Sequence, residues 1–325
     1  MKWELLRNNG AVAIIIVNWN AGRQLADVIS SIKINHAGLV ASVIVVDNAS
    51  TDHSLELLDA QAGCLPFPLH VIRNSENRGF AAACNQGAVQ AESGYLLFLN
   101  PDTRLFEDSL TVPLAFMQWP ENAKVGICGI QLVDETGQVA HSCARFPSMG
   151  RFAAQALGLS KLPWLRSWNT HMAEWDHATT REVDQLMGAF FLVRSDLFRA
   201  LNGFDERFFV YFEEVDFSYR ARQAGYCSVY LADAQAFHVD GGTSWQVKAA
   251  RLFYSLRSRL LYGFKNSSHS RAILLVAITM LIEPVSRTVF SFLRGGTEDV
   301  HNILVAYAML WRALPAIFKK GLSPE

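Results

Sequence analysis

Four short apolar runs that alternate with helical stretches are the feature that most constrains how this chain can fold. The runs lie at residues 13–17, 43–46, 69–72 and 95–99, and each has the length of one strand. Helical spacing follows the first run, where the apolar residues are Leu25, Val28, Ile29 and Ile32. Continuous apolar strands joined by helices form parallel sheets that are covered on both faces. We therefore expect an α/β fold built on a mainly parallel sheet.

Polar residues directly follow each of the four predicted strands. They are Asn18, Asn20, Asp47, Asn48, Arg73, Asn74, Asn100 and Asp102. Ligands of such sheets bind at the carboxyl ends of the strands. Any one of these residues could belong to an ordinary turn, but four strands that all end in hydrogen-bonding side chains predict a ligand site at this edge.

Composition and missing motifs exclude several classes of protein. The net charge of −1 gives no general attraction to nucleic acid. Five scattered cysteines without a C-x-x-C pair argue against a disulfide framework or a zinc knuckle and favour a reducing cytoplasm. The first ten residues contain no apolar segment, so we expect no secretion signal. The P-loop, the G-x-G-x-x-G fingerprint, H-E-x-x-H and G-x-S-x-G are all missing.

The C-terminal part of the chain has a different character from residue 247 onward. An apolar helical stripe is accompanied by basic residues, and the apolar run 272–282 is closed by Glu283 and Pro284. Eleven residues are too few to span a bilayer, which needs about 20. A second mixed apolar stretch covers residues 303–318. We expect amphipathic helices on a membrane surface; the alternative is a helix pair that packs on the catalytic domain or on the second subunit of a homodimer.

Seven sequence blocks occur in an order that resembles one family. They are IIIVNWN, VIVVDNASTD, NRGFAAACNQG, LFLNPDT, MGAFFLVR, GFDERFFVYFEEVDFSYRARQAGY and HVDGGTS. Together they are similar to the family 2 glycosyltransferases, in particular the rhamnosyltransferase-like branch that builds bacterial surface polysaccharides. The resemblance implies the glycosyltransferase A fold, a Rossmann-like mixed sheet that binds a nucleotide-sugar, and inversion at the anomeric carbon. It also implies a divalent metal, Mg²⁺ or Mn²⁺, as cofactor.

The resemblance assigns metal ligands to two distant residues. Asp102 matches the last acid of the family's D-x-D motif, although an Asp in a Pro-Asp turn is often only structural. Asn100 replaces the first acid of that motif, and its amide could contact the ribose or a metal-bound water. His238 matches a histidine that completes the metal site in some relatives, and a histidine beside apolar residues is otherwise usually structural.

The remaining binding residues are also assigned by resemblance. Those implied for the nucleotide-sugar are Asn18, Asn20, Asp47, Asn48, Arg78, Gly79, Asn85, Asn100 and Asp102. Those implied for the acceptor are Gly188, Ala189 and Asp216. Glycine at position 79 would let the backbone approach the nucleotide, at the N-terminus of a helix that begins near Phe80.

A cluster of acids at residues 213–216 is expected to supply the general base. By position in the family motif the base is Glu214, with Glu213 as the reserve. Crowding of three acids tends to raise one pKa, which suits a base that works near neutral pH. The alternative is an acidic helix N-terminus favoured by the helix dipole, and Asp216 could simply pair with Arg220 four residues later.

These assignments lead to a functional hypothesis and one alternative. We expect a metal-dependent transfer of L-rhamnose from dTDP-L-rhamnose to a polyprenyl-diphosphate-linked saccharide, by a peripheral protein on the cytoplasmic face of the membrane. The alternative, motivated by Asn100 and Glu214, is a catalytically silent nucleotide-sugar binder that acts as a scaffold. We expect a catalytic domain at residues 1–246, with nucleotide-binding and acceptor-binding halves at 1–105 and 106–246, and a helical region at 247–325. Within it, we expect residues 110–185 to include a loop-rich insertion.

Overall fold

A computed structural model describes residues 12–159, 168–239, 247–293 and 297–322. Parts of two predicted features lie outside these residues, namely Trp164 of the predicted insertion and the glycines of the HVDGGTS block.

The first hundred residues form the predicted alternation of strands and helices. The elements are β1 (Val12–Asn18), α1 (Arg23–His36), β2 (Val40–Asp47), α2 (Ser54–Ala62), β3 (Leu69–Arg73), α3 (Phe80–Val89) and β4 (Tyr95–Leu99). The four strands are parallel and lie side by side in the order β3-β2-β1-β4. Every residue of β1 and β4 is buried, as their continuous apolar sequences predict. The predicted α/β class is confirmed.

The second part of the chain extends the same sheet with mixed strand directions. Its elements are β5 (Thr103–Leu105), α4 (Thr111–Gln118), β6 (Val125–Val133), β7 (Cys143–Ala144), α5 (Met149–Ala156), β8 (Arg181–Val183), β9 (Gln185–Leu186), β10 (Phe190–Arg194), α6 (Ser195–Ala200), α7 (Glu213–Gln223) and β11 (Cys227–His238). Strand β10 lies between β4 and β6 and is antiparallel to both. The sheet then continues through β11, which pairs with β5 and β8. This mixed sheet is the arrangement that the glycosyltransferase A fold implies.

The stretch that we predicted to be irregular contains a central strand of the sheet. Strand β6 is buried along its whole length. Its pattern is weakened by Gly126 and Gly129, where an added Cβ would lie 2.4 Å from Leu197 and 2.8 Å from Leu186. Leucine side chains therefore pack closely against the backbone at both glycines, and the missing side chains obscure the strand in the sequence.

The C-terminal residues form long helices. The elements are α8 (Lys248–Asn266), α9 (His269–Ala277), α10 (Glu283–Leu293) and α11 (Thr297–Leu322). The apolar run 272–282, which we judged too short to span a bilayer, is part of a longer helix, because a π-helical turn at Ile278–Ile282 joins α9 to α10. The wider turn accommodates the missing N–H of the proline. Of the described helices, His269–Leu293 (25 residues) and Glu298–Gly321 (24 residues) are long and apolar enough to cross a membrane on length and composition alone.

The described residues group into two compact units. The sheet unit comprises the described residues of Met1–Ala144, Trp175–Glu206 and Glu214–Thr243, and the helical unit comprises those of Arg145–Glu174, Arg207–Glu213 and Ser244–Glu325. The segments Arg145–Glu174 and Arg207–Glu213 thus group with the C-terminal helices. Both precede residue 246, where we placed the end of the catalytic domain. The predicted domains stay a proposal about how the chain divides its functions.

Candidate active site

The ends of β1 and β2 are held together by buried polar side chains. The amide nitrogen of Asn18 has three acceptors within hydrogen-bond distance of its two hydrogens: Asp47 Oδ1 at 2.7 Å, Ser54 Oγ at 2.8 Å and Ser50 Oγ at 3.0 Å. Asp47 Oδ2 accepts the backbone N–H of Ser50 at 3.1 Å. The carbonyl oxygen Oδ1 of Asn18 is buried and accepts no hydrogen bond from the described residues. This edge of the sheet therefore has a rigid frame and one open acceptor, which suits a ligand with a hydrogen-bond donor.

The loops that follow the same two strands also contact each other. Asn20 has a left-handed backbone with φ of 52°, a conformation that asparagine tolerates better than most residues. Its Oδ1 accepts the N–H of Thr51 at 2.8 Å, and Asp52 Oδ2 accepts the N–H of Gly22 at 2.7 Å. Asn20 thus lies beside the strand-end frame, as predicted, and its side chain holds the loop.

The N-terminus of α3 is fixed to the same edge. Gly79 has a left-handed φ of 88°, and its carbonyl accepts a hydrogen bond from the amide of Asn48 at 3.1 Å. Asn48 in turn accepts from Asn74 at 3.0 Å. Arg78 is exposed in front of the helix. The first N–H groups of α3 therefore lie near the ends of β2 and β3, where they could bind an anionic group.

The Asn-Pro-Asp segment after β4 forms a tight turn. Asn100 O accepts the backbone N–H of Thr103 at 3.3 Å and its hydroxyl at 2.7 Å. The N–H of Asn100 donates to Ala189 O at 3.0 Å, so the predicted acceptor-side residues Gly188 and Ala189 lie next to this turn. The segment is therefore a turn, as its Pro-Asp sequence suggests, and the turn also places Asp102 at the edge of the sheet.

The turn brings Asp102 to His238, as the resemblance implied. Asp102 Oδ1 lies 3.4 Å from His238 Nε2, and their side chains are 12% and 7% exposed. The same Asp102 oxygen accepts no hydrogen bond from the described residues. Neighbouring ligands of one octahedral ion lie about 3 Å apart, so the pair fits a divalent ion that takes its other ligands from a diphosphate and water. No group of three or more His, Cys, Asp or Glu residues that could hold a metal occurs among the described residues.

Backbone strain lies directly before the acid cluster. Tyr211 and Phe212 have left-handed φ values of 66° and 74°, which are costly for aromatic residues and cluster at functional sites. The ring of Phe212 packs on Tyr262 at 5.5 Å, within the helical unit. Helix α7 begins at the next residue, Glu213, which is buried. The strained turn therefore places both Glu213 and Glu214 in the first turn of α7.

The environment of Glu214 gives it the properties of a general base. Its Oε2 atom is buried and accepts no hydrogen bond from the described residues. Burial raises the pKa of Glu214 to about 7, although the N–H groups of Glu214 and Val215 partly oppose the shift. A carboxylate with a pKa near the working pH can both accept a proton and release it again. Burial raises this pKa, in place of the crowding of three acids that we expected, and the role of Glu214 as the base stays a prediction.

Asp216 has a clear structural partner. Its Oδ2 accepts a hydrogen bond from Arg220 Nε at 2.7 Å, and Asp216 is fully buried. The other nitrogens of Arg220 donate to the carbonyls of Leu201 at 2.6 Å and Gly203 at 2.8 Å. The helical pairing that we kept as the alternative is therefore present, while the acceptor contact of Asp216 stays a prediction.

Asn85 also has a structural role in the sheet unit. Its amide nitrogen donates to Phe204 O at 2.8 Å and to Glu206 Oε1 at 3.0 Å, and its Oδ1 accepts the N–H of Phe204 at 2.9 Å. Gly203 has a φ of 70°, and an added Cβ there would lie 2.5 Å from Asn85 Oδ1. Helix α3 thus clamps the loop that Arg220 also binds. The nucleotide contact implied for Asn85 stays untested.

The sequence did not reveal two parts of this site. The strained residues Tyr211 and Phe212 carry no sequence signal, because bulky aromatics do not predict a left-handed backbone. The reciprocal amide pair of Asn74 and Gln86, at 2.9 and 3.1 Å, was also missed. The position of Asn74 after β3 was the one available signal for it.

Comparison with known proteins finds similarity to glycosyltransferases. Residues 13–165 match the model of Glycosyl transferase family 2. An N-acetylglucosaminyl-diphospho-decaprenol L-rhamnosyltransferase of Mycobacterium tuberculosis is 28% identical over 273 residues, which cover 79% of this chain and 84% of that protein. The rhamnosyltransferase WbbL of Escherichia coli is 29% identical over 151 residues, or 46% of this chain and 53% of that one.

Solved structures show the same fold at low sequence identity. The mannosyltransferase PcManGT from Pyrobaculum calidifontis, in complex with GDP-Man and Mn²⁺, aligns with a TM-score of 0.55 at 17% identity over 96% of this chain and 77% of that one. Staphylococcus aureus TarS residues 1–349, in complex with UDP-GlcNAc, align with a TM-score of 0.52 at 13% identity over 94% and 92%. The family match and the rhamnosyltransferase relatives make the chain similar to the family 2 glycosyltransferases and to their rhamnosyltransferase-like branch.

Proposed function

We propose that this glycosyltransferase moves L-rhamnose from dTDP-L-rhamnose, with inversion, to a saccharide on a polyprenyl diphosphate in cell-surface polysaccharide synthesis. The observation that carries the proposal is the Glu214 carboxylate, buried at the start of α7 with its pKa raised to about 7. The donor and acceptor classes are supported by the relatives, one of which is named for rhamnosyl transfer to N-acetylglucosaminyl-diphospho-decaprenol.

The chemistry is a single displacement. The acceptor hydroxyl oxygen forms a bond to the anomeric carbon, the bond from that carbon to the diphosphate oxygen breaks, and the hydroxyl proton passes to Glu214. The frame of Asn18 and Asp47 orients the nucleoside, and the N-terminus of α3 faces the diphosphate. These residues work mainly by positioning, which can account for several kcal/mol of a transfer barrier.

A divalent ion is the cofactor that we propose for this site, with Asp102 and His238 as its protein ligands. Their separation of 3.4 Å and the open Asp102 oxygen support this assignment. When bound, the ion would neutralise charge that develops on the leaving diphosphate. The Mn²⁺ named in the structural neighbours also supports it.

Membrane association is the last element of the proposal. Large apolar side chains are exposed along the helix formed by α9 and α10, namely Ile273, Leu274, Leu281, Ile282, Val285, Val289, Phe292 and Leu293. The same helix has Glu283 at its middle, fully buried and paired with Arg259 of α8. One face of this helix is apolar and exposed, and the opposite face carries a charge that is paired inside the protein. Such a helix suits the surface of a bilayer. We place it at the cytoplasmic face, where nucleotide-sugars are available.

A transfer assay with a defined lipid acceptor tests the proposal. Purified protein should transfer rhamnose from dTDP-L-rhamnose to polyprenyl-diphosphate-linked N-acetylglucosamine, and the product should have the opposite anomeric configuration by NMR. Chelation should stop the reaction, and Mn²⁺ or Mg²⁺ should restore it. Retention of configuration would contradict the single displacement. Transfer from another nucleotide-sugar alone would contradict the proposed donor.

A further inference from the structure

Helix α8 contains an arginine whose charge is not neutralised by the described residues. The side chain of Arg257 is partly buried, and its Nη1 donates a hydrogen bond to Arg207 O at 3.3 Å. No described Asp or Glu forms an ion pair with it. Burial lowers the pKa of Arg257, because the cation loses water without gaining a carboxylate. A shielded guanidinium with open N–H groups favours the arrival of an anion.

A second arginine on the same helix shows the contrast. Arg259 is almost fully buried, and it donates to both carboxylate oxygens of Glu283 and to the Thr279 hydroxyl at 3.0 Å. Glu283 also accepts from Arg287 at 2.8 Å. Arg259 therefore has a structural role inside the helical unit, whereas Arg257, two residues earlier, has none of these partners.

Arg257 lies against the segment that leads to the general base. Residues 207–213 are held on α8 by the Ser258 hydroxyl, which donates to Val210 O at 2.8 Å. The rings of Phe209 and Tyr254 stack at 4.6 Å beside this bond. The same segment ends in the strained turn before Glu213. Because Arg257 contacts Arg207 O at the start of this segment, its guanidinium lies against the stretch of chain that leads to Glu213 and Glu214.

The helical unit thus offers two chemically different features, an open guanidinium on α8 and a bare apolar face on α9 and α10. A polyprenyl diphosphate has the same two parts, a dianionic head and an apolar tail. We infer that Arg257 binds the diphosphate of the lipid-linked acceptor, with its guanidinium donating to the phosphate oxygens. The inference rests on the proposed function and adds a recognition residue for the acceptor. Arginine suits this role because its planar fork matches phosphate oxygens.

Steady-state kinetics with both substrates varied tests the inference. Arg257→Ala should raise the KM for the lipid-linked acceptor about tenfold or more, as loss of one charged hydrogen bond predicts. The KM for dTDP-rhamnose should stay within about twofold, because the donor is bound elsewhere. Arg257→Lys should recover part of the loss. The matched control is Arg312→Ala, an exposed arginine of α11 in the same unit, which should leave both constants unchanged.

Direct binding separates failure of this inference from failure of the proposed function. Farnesyl diphosphate should bind the wild-type protein in calorimetry, and Arg257→Ala should weaken it about tenfold, whether or not any transfer is detected. A rise in the donor KM instead would assign Arg257 to the donor diphosphate and overturn the inference. Equal loss with Arg312→Ala would indicate nonspecific attraction to anions and overturn it as well. An unchanged affinity of Arg257→Ala for farnesyl diphosphate would also overturn the inference.

Discussion

Three buried acceptor atoms of the sheet unit and one buried carboxylate of the helical unit differ in whether they accept hydrogen bonds. In the sheet unit, Asn18 Oδ1, Asp102 Oδ1 and Glu214 Oε2 are buried and accept no hydrogen bond from the described residues. In the helical unit, both oxygens of Glu283 accept from guanidinium groups. Buried polar atoms normally find partners, so open ones mark the places where a ligand or a proton is expected. The comparison contrasts these three acceptors with the ion pairs of Glu283, which hold the fold of the helical unit.

The largest expected effect comes from removing the open carboxylate of the sheet unit. Glu214→Gln should lower kcat by about 10²–10⁴-fold, because the amide cannot accept the acceptor proton. Its melting temperature should stay the same or rise, since a buried carboxylate with a raised pKa destabilises the fold at neutral pH. Transfer assays and thermal unfolding at pH 8 measure both. Glu213→Gln is the matched control; if it lost more activity than Glu214→Gln, the base would be Glu213.

Removing the paired carboxylate of Glu283 should reduce stability and leave nucleotide binding intact. Glu283→Ala should destabilise the helical unit by about 3–5 kcal/mol, because two guanidinium groups lose their partner in a buried place. Nucleotide binding by the sheet unit should survive. Denaturant unfolding followed by circular dichroism, together with dTDP binding, separates the two effects. A loss below about 1 kcal/mol would place Glu283 among the weak surface pairs.

The shifted pKa values of Glu283 and Glu214 predict how the stability of each unit depends on pH. Burial alone would raise the pKa of Glu283, but Arg259 and Arg287 lower it below the ordinary value. Its stabilising contribution is therefore present above the unfolded pKa and lost as the pH falls through the folded one. The pKa of Glu214 is raised, so its contribution is unfavourable and develops as the pH rises from about 4.5 to about 7. Unfolding midpoints between pH 3 and 8, compared with those of Glu283→Gln and Glu214→Gln, should show these opposite slopes.

Substitutions of the two proposed metal ligands, Asp102 and His238, should have effects of intermediate size on turnover and on the Mn²⁺ requirement. Asp102→Ala should lower turnover by about a hundredfold or more, and His238→Ala should raise the Mn²⁺ concentration needed for half-maximal activity by about tenfold. A thermal-shift titration with dTDP and Mn²⁺ reads out metal binding without turnover. Equal Mn²⁺ requirements in wild type and His238→Ala would remove His238 from the metal site.

The smallest expected effect comes from removing the two hydrogen bonds between Asn85 of α3 and the backbone of Phe204, in the loop before the acid cluster. Asn85→Ala should cost about 1–3 kcal/mol, since the N–H and C=O of Phe204 lose their partners. Gln86→Ala, the neighbouring residue of α3, is the matched control and should leave the loop intact, because Gln86 pairs with Asn74. Hydrogen exchange at Phe204 measures the difference. Equal protection in both variants would contradict the clamp.

The two units also differ in how much the sequence could predict. The first four strands were predicted to within a few residues, because buried parallel strands have continuous apolar sequences and polar ends. The Asp102–His238 pair lies 136 residues apart along the chain, so the order of the family's motifs predicted it and spacing could not. The central strand β6 was missed because its two glycines serve packing that only the folded neighbours Leu186 and Leu197 reveal.

The helical unit was harder to predict because its polar groups act through distant partners. Pro284 predicts a helix end, but the π-helical turn before it lets the helix continue. Glu283 looked like a polar boundary of the apolar run, whereas its pairing with Arg259 places it in the interior. Neither effect is visible without the fold. The same reason hid Arg257, which stands out because none of the described residues pairs a carboxylate with it.

The pH dependence of rhamnosyl transfer tests the central claim most directly. If Glu214 is the general base, kcat/KM should fall tenfold for each pH unit below about 7 and level off above it, because only the carboxylate accepts the proton. The residual activity of Glu214→Gln should lack this acidic limb. A wild-type profile that stays flat from pH 5 to 8, or an acidic limb that persists unchanged in Glu214→Gln, would contradict the account.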